Sequence, residues 1–343
     1  MPRSLGFAAS LALATACVVA ACSSAQPITV DQAPLTWPEQ VDEKARVEFV
    51  RAVSRPEDFD IRKGFFQRFG EFLFGEVDAK LVRPMAVVAV NGAVFVADPG
   101  AKGVHRFDLK GGRYDLITGQ RETILPSPVS LAVGADGVVY VADSALSRVL
   151  VIRPGAREAV PLDLPALRQP TGLAFDPKTG RLFVSETAEH RIRVFGRGGT
   201  EVATFGTRGT EEGEFNFPTY LWLDKRGRLF VTDSLNYRVQ VFGEDGKFER
   251  KFGRAGDAAG DFLRQKGVAT DSFGHVYVVD GLFGALLIYD EGGRLLLSIG
   301  NLGQARGEFW LPAGIFIGDD DRIYVADAYN GRIQIFRYIG GPT

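Results

Sequence analysis

Cysteine is almost missing from this chain. Of 343 residues only Cys17 and Cys22 carry a thiol, and both fall in the first 22. A disulfide framework for the rest of the chain is therefore excluded, as is a cysteine-ligated metal. Histidine is nearly as scarce: His105, His190 and His275 are the three in the chain. Placed on the repeat described next, they fall in a strand, a loop and a turn on the opposite side, and cannot converge on one ion. Neither sign of charge dominates, with 40 Lys and Arg against 42 Asp and Glu. That balance offers no basic surface to nucleic acid, and no nucleic-acid partner is expected. Beyond residue 21 no apolar run is long enough to cross a bilayer. The glycine-rich stretches never join a strand to a helix as a phosphate loop must.

What the chain does contain is a period. An acidic residue closes an apolar run at Asp98, Asp143, Glu186, Asp233, Asp280 and Asp327, in steps of 45, 43, 47, 47 and 47 residues. Each copy holds short runs rich in Val, Ile, Leu and Phe between Gly, Asp and Asn turn signals, which predicts a four-stranded antiparallel meander. In the fourth copy the expected strands are Thr219–Leu223, Arg228–Thr232, Arg238–Phe242 and Lys247–Phe252. Units of this size that are apolar on both faces close radially into a β-propeller. The sixth copy supplies only three strands, Ala313–Ile317, Arg322–Ala326 and Arg332–Ile339, while Arg46–Val53 precedes the first copy unused. The expected fold is therefore all-β: a six-bladed propeller over residues 45–340, closed by an N-terminal strand.

Pro170–Phe175, the run Gly-Arg-Leu-Phe-Val-(Ser/Thr)-(Asp/Glu), Asn236–Phe242 and Asn330–Phe336, with Gly-Glu-Phe at Gly213 and Gly307, resemble NHL repeats. The resemblance spans roughly residues 83–340. Gly103 and Ala285 depart from it where other copies carry Arg, and Gln265-Lys266 replaces the starting Pro. The resemblance implies the propeller fold but no single activity. Amidating lyases of this repeat family hold zinc through histidines, a set these three cannot supply. Gluconolactonase-type propellers use a Glu/Asn/Asp cluster around the channel, and the matching positions here offer Gly, Ser or Tyr. No metal and no other cofactor is expected.

Residues 1–21 resemble the signal peptide of a bacterial lipoprotein, with Arg3, an apolar run from Leu5 to Ala21, and Val19-Ala20-Ala21-Cys22 like a lipobox. The resemblance implies acylation at Cys22 and anchoring at the cell envelope, at the outer membrane if the cell is Gram-negative. The alternative is simple secretion with cleavage after Ala25. Residues 22–44 then read as a tether.

In the meander, the inter-blade loops and the loops between second and third strands share one face, here called the top. Phe215, Phe217, Phe262, Phe309 and Trp310 belong to those loops. An insertion at 57–80 reaches the same face, and within it Phe65, Phe66, Phe69 and Phe72 recur at helical spacing. They are the candidate lid or partner surface, with a structural plug as the simpler reading. The acidic ring is expected to brace turns, paired with Arg148, Arg191, Arg238 and Arg332. Tyr220 replaces a small residue found in the other five first strands, Trp222 and Phe316 replace alanines, and Lys266 brings a cation. These four form a candidate ligand pocket at the top mouth, against the alternative that they fill an asymmetric axis. The reading of function is a lipid-anchored binding or scaffold module whose partner is an envelope protein or a small ligand. A propeller hydrolase, lactonase or lyase with an unfamiliar ligand set is the alternative.

Overall fold

The computed structural model describes residues 34–38, 46–61 and 79–340, which belong to a folded unit running from Pro34 to Thr343. Residues 1–33, with Cys22 among them, and Phe65, Phe66, Phe69 and Phe72 lie outside the described residues.

The described chain builds six antiparallel blades around an axis, the first two joined in one sheet. Blade 4 shows the unit: Pro218–Leu223, Leu229–Asp233, Arg238–Phe242 and Phe248–Phe252 pair in that order. Its two hairpins reverse through Gly227 and Gly246, at φ 84° and 78°, a region glycine enters without a steric penalty. The innermost strands of the six blades are Ala86–Val90, Pro128–Val133, Pro170–Asp176, Pro218–Leu223, Gln265–Thr270 and Ile315–Ile317.

Closure occurs in blade 6. Val47–Val53 pairs antiparallel with Arg332–Tyr338 and becomes the fourth strand, outside Ile315–Ile317 and Arg322–Asp327. A fifth strand, Thr36–Trp37, then pairs with Val47 and Glu48, within the stretch that reads as a tether. Burial explains it: Trp37 and Phe49 each pack edge-on against Phe336 at 5.7 Å. The insertion starts with a short 3-10 helix, Pro56–Phe59, which ends at Asp60 in the left-handed region.

Between blades the core is apolar and close-packed. Phe215, Phe262 and Phe309, which the sequence assigns to the top loops, are fully buried. Each folds under its loop through a parallel bridge, Arg208 to Phe215, Ala255 to Phe262 and Leu302 to Phe309. Phe217 and Trp310 stay exposed.

One joint differs from the rest. The outermost strand of blade 1, Arg113–Gly119, pairs in parallel with the outermost strand of blade 2, Glu158–Pro161, so that the two blades share one eight-stranded sheet. The buried Arg106 guanidinium reinforces the joint: it bonds Asp115 on blade 1 and donates to the Ala156 carbonyl of blade 2 at 2.7 Å.

Candidate functional site

The acidic ring is architectural. All six carboxylates are buried, and each accepts a backbone N–H from the loop leading into its own blade, as from Val82 to Asp98, Ser127 to Asp143 and Trp310 to Asp327. Arg191, Arg238 and Arg332 bond Glu186, Asp233 and Asp327 at 2.7 Å each. Arg148 is exposed and makes no ion pair with Asp143. Its blade follows a short loop, so it also lacks the carbonyls that hold Arg238, those of Thr210, Glu211 and Glu214. Burial pushes the Asp143 carboxyl above its ordinary range against the pull of three N–H bonds. At Asp98 burial acts the same way, but the His105 side chain and the Val82 and Arg83 amides outweigh it and hold the carboxyl low.

At the axis the first strands come very close. A Cβ on Gly172 would lie 1.9 Å from the Thr219 carbonyl oxygen, and one on Gly314 would lie 2.5 Å from that of Met85. Such contacts exclude any side chain, which is why small residues recur there. Tyr220 occupies the equivalent position in blade 4 and projects into the axial space instead. Two residues further along, the Trp222 indole donates to Thr270 Oγ1 at 2.9 Å. Its ring meets Phe316 across the axis at 5.9 Å, nearly perpendicular. Blade 5 lies between them in chain order and presents only Ala269 there, which leaves the span open.

These substitutions shape a cavity of about 660 Å³, walled by Tyr220, Trp222, Phe316 and Tyr324 from blades 4 and 6, by Phe175 from blade 3 and by smaller residues such as Ala86 and Ala132 from blades 1 and 2. That volume falls in the range of small-molecule pockets. The cavity opens between the turns that join first to second strands, at Asn91, Lys225, Ser272 and Asp319–Arg322. This is the bottom face, opposite the one on which the sequence places the mouth. The rim is tied across blades: Lys225 pairs with Asp319 at 3.1 Å, and the Ser272 hydroxyl donates to Asp321 at 2.6 Å. Asp319–Asp321 form a bottom turn, with Asp321 donating its N–H to the Gly318 carbonyl at 3.0 Å.

Tyr220, Trp222 and Phe316 are thus brought together, whereas Lys266 is not among the residues lining the cavity. It enters its strand from the top and carries its charge into a poorly hydrated position. Burial, with the Arg264 charge beside it, pushes the amine down to about 8, against the opposing pull of Asp280. An amine whose folded pKa lies below its ordinary 10.5 is favoured uncharged by folding. Stability should therefore rise from about pH 8 towards pH 10. The Lys266→Met variant should be about 1–3 kcal/mol more stable at neutral pH and lose that alkaline rise. Urea midpoints at about pH 7 and about pH 9.5 measure both effects.

Tyr324, from the second strand of blade 6, is a wall residue the sequence reading missed. Alternation marks it only as core, and its exposure to the void depends on Phe316 packing against it at 6.2 Å. Among the described residues no group of three or more His, Cys, Asp or Glu side chains is placed to hold a metal ion. None of the described helices is long and apolar enough to cross a membrane.

Six radial blades around an axis define a β-propeller. The fold is a six-bladed propeller that carries NHL repeats: residues 167–195 and 309–336 match the NHL repeat model, and residues 225–280 match a family described as 6-bladed beta-propeller. No curated protein matches the sequence. Solved structures share the fold at low identity. Virginiamycin B lyase from Staphylococcus aureus is similar with a TM-score of 0.55 and 14% identity, over 75% of this chain and 96% of that one. An auxiliary nutrient binding protein from Bacteroides ovatus is similar at 0.59 and 12%, over 76% and 70%. A protein of unknown function from Bacteroides thetaiotaomicron is similar at 0.59 and 17%, over 76% and 70%.

Proposed function

We propose that this propeller is a binding module that takes a small, ring-bearing organic molecule into its axial cavity, and that Cys22 anchors it by lipid at the cell envelope. The observation that carries the reading is the break in symmetry. Repeat positions that hold Gly, Ala, Ser or Val elsewhere hold Tyr220, Trp222 and Phe316 in blades 4 and 6. A structural requirement shared by all blades would repeat in all blades, whereas a ligand with a distinct shape calls for distinct residues. Aromatic walls suit a planar apolar body, and the hydrogen-bonding rim suits a polar end directed to solvent. The likeness to a nutrient binding protein supports a binding role, and the lipobox-like Val19–Cys22 supports the anchor.

Trp222 supplies the assay. Titrating the full chain with a neutral aromatic probe such as indole should change the near-ultraviolet signal of Trp222. Trp222→Leu should weaken probe binding about tenfold or more while thermal unfolding stays cooperative. Unchanged affinity in that variant overturns the cavity as the site. A stoichiometric divalent ion in the purified protein would instead favour a hydrolase, lactonase or lyase. The envelope placement is tested separately, by metabolic labelling with an alkyne fatty acid that is lost in Cys22→Ser.

A further inference from the structure

Equivalent positions of a rotational repeat lie at equal height on the disc, so side chains placed there form a level ring. On the top face two such positions are neighbours: the residue after the buried phenylalanine of each inter-blade loop, Asn216, Leu263 or Trp310, and the apex of the loop between second and third strands. Backbone bonds join the two loops, Leu235 N–H to Asn216 O at 2.9 Å, Tyr329 N–H to Trp310 O at 3.1 Å and, one residue along, Gly281 N–H to Arg264 O at 2.9 Å. In blades 5 and 6 both positions are apolar and exposed, Leu263 with Leu282 and Trp310 with Tyr329. In blade 4 Leu235 holds the apex, and Phe217, one residue beyond Asn216, is the exposed apolar partner; exposures run from 37% at Phe217 to 55% at Tyr329. Val82, 58% exposed, continues the arc into blade 1. Blade 3 breaks it with the ion pair Arg168–Glu189. Single exposed apolar residues are ordinary, but six on adjacent blades, five of them at matched positions, form a patch.

We infer that this arc is a membrane-apposed surface that seats on the headgroup layer of a bilayer containing anionic lipid. Its level arrangement suits a flat partner better than a peptide, which needs a groove. Tryptophan, tyrosine and leucine tips are the side chains that partition into the interfacial layer. The charges agree. Arg83, Lys102 and Arg264 are exposed on the same loops and form no ion pair, while the acids of those loops, Asp98 and Asp280, are buried beneath them. The exposed acids Glu211, Glu212 and Asp257 sit earlier in the long loops, and Glu212 pairs with Lys251 of an outer strand. The inner part of the face is therefore apolar and cationic, the combination that anionic lipid attracts. The inference does not depend on the axial cavity, which opens on the other face.

The test uses the full chain as Cys22→Ser, so that no acyl chain contributes. It should float with vesicles of phosphatidylcholine containing about 30% phosphatidylglycerol. Of its three tryptophans, Trp310 should be quenched by brominated acyl chains. The double variant Leu235→Asp/Leu282→Asp should lose about tenfold or more of vesicle partitioning with its melting temperature unchanged. Phe273→Asp, in a bottom turn and 44% exposed, should float like the parent. Absence of flotation, or flotation of the double variant at the parent level, overturns the inference. So does a dimer of the parent that the double variant abolishes, which would assign the face to a second copy of the chain.

Discussion

Asp233→Ala should cost about 3–5 kcal/mol of folding stability, among the largest losses available to one substitution in this protein. The carboxylate is buried and collects the Asn216 N–H at 2.6 Å, the Asn236 amide at 2.8 Å, the Arg238 guanidinium at 2.7 Å and the Gln240 amide at 3.2 Å. Removing it leaves a nearly buried Arg238 without its counter-ion and the Asn216 N–H without an acceptor, while Arg238, Asn236 and Gln240 keep only their carbonyl partners. Water cannot reach them without opening the joint between the incoming loop and the blade. Asp143 gives the internal comparison, because its three donors are all backbone N–H groups and no arginine faces it. Asp143→Ala should therefore cost only about 1–3 kcal/mol. Equilibrium urea unfolding of the two variants measures the difference. Equal losses would mean that the arginine contributes nothing, and that the ring is held by its N–H bonds alone.

The second large effect belongs to the closing blade. Phe336 is fully buried and meets Trp37, Phe49 and Phe309 at 5.7, 5.7 and 5.9 Å. It is the common contact of the last strand, the closing strand and the final inter-blade loop. Phe336→Ala should cost about 3–5 kcal/mol through lost transfer energy and the cavity left behind. Because its partners lie at opposite ends of the chain, the loss should also loosen the closure itself. Trypsin should then cut after Arg51 faster than in the parent, while Phe195→Ala, at the matching position of blade 3, should leave that site protected. Equal cleavage in both variants would mean that the closing strand is retained by its backbone pairing rather than by this aromatic cluster.

Much of this was legible because a repeat carries its own reference. Six acids at a near-constant step placed the second strand of every blade, and the missing fourth strand at one end pointed to Arg46–Val53 at the other. Departures stood out for the same reason: Tyr220 against five small residues is visible without coordinates. The direction in which the cavity opens was not legible. It depends on how far Tyr220 blocks the axis and on Trp222 reaching past Ala269 to Phe316, distances that no pattern encodes. Lys266 was grouped with these residues by chain proximity, but it enters the strand nearer the top, and a strand places successive residues at different heights. Trp37 escaped notice because two residues show no alternation, and only the burial of Trp37 against Phe336 gives them a reason to pair. The burial of the Gly-Glu-Phe ring was not legible for a related cause. A loop that lies on a surface can still tuck one ring beneath itself.

The parallel pairing of Thr118 and Gly119 with Glu158 and Ala159 has a consequence for how this ring breathes. Propeller blades ordinarily fluctuate as separate units, each detaching from its neighbours with its own small free energy. Here the first two are welded along their rims, so a transient breach there must break main-chain bonds and expel Arg106 from its seat. Among the described residues the other joints have no such strand pairing at the rim, although Gly267 N–H bonds Ala313 O between blades 5 and 6 at the axis, and their rims should part more often, giving the disc a stiff sector and a softer one. The softer sector includes blades 4 to 6, which carry both the aromatic cavity wall and the level arc of exposed side chains.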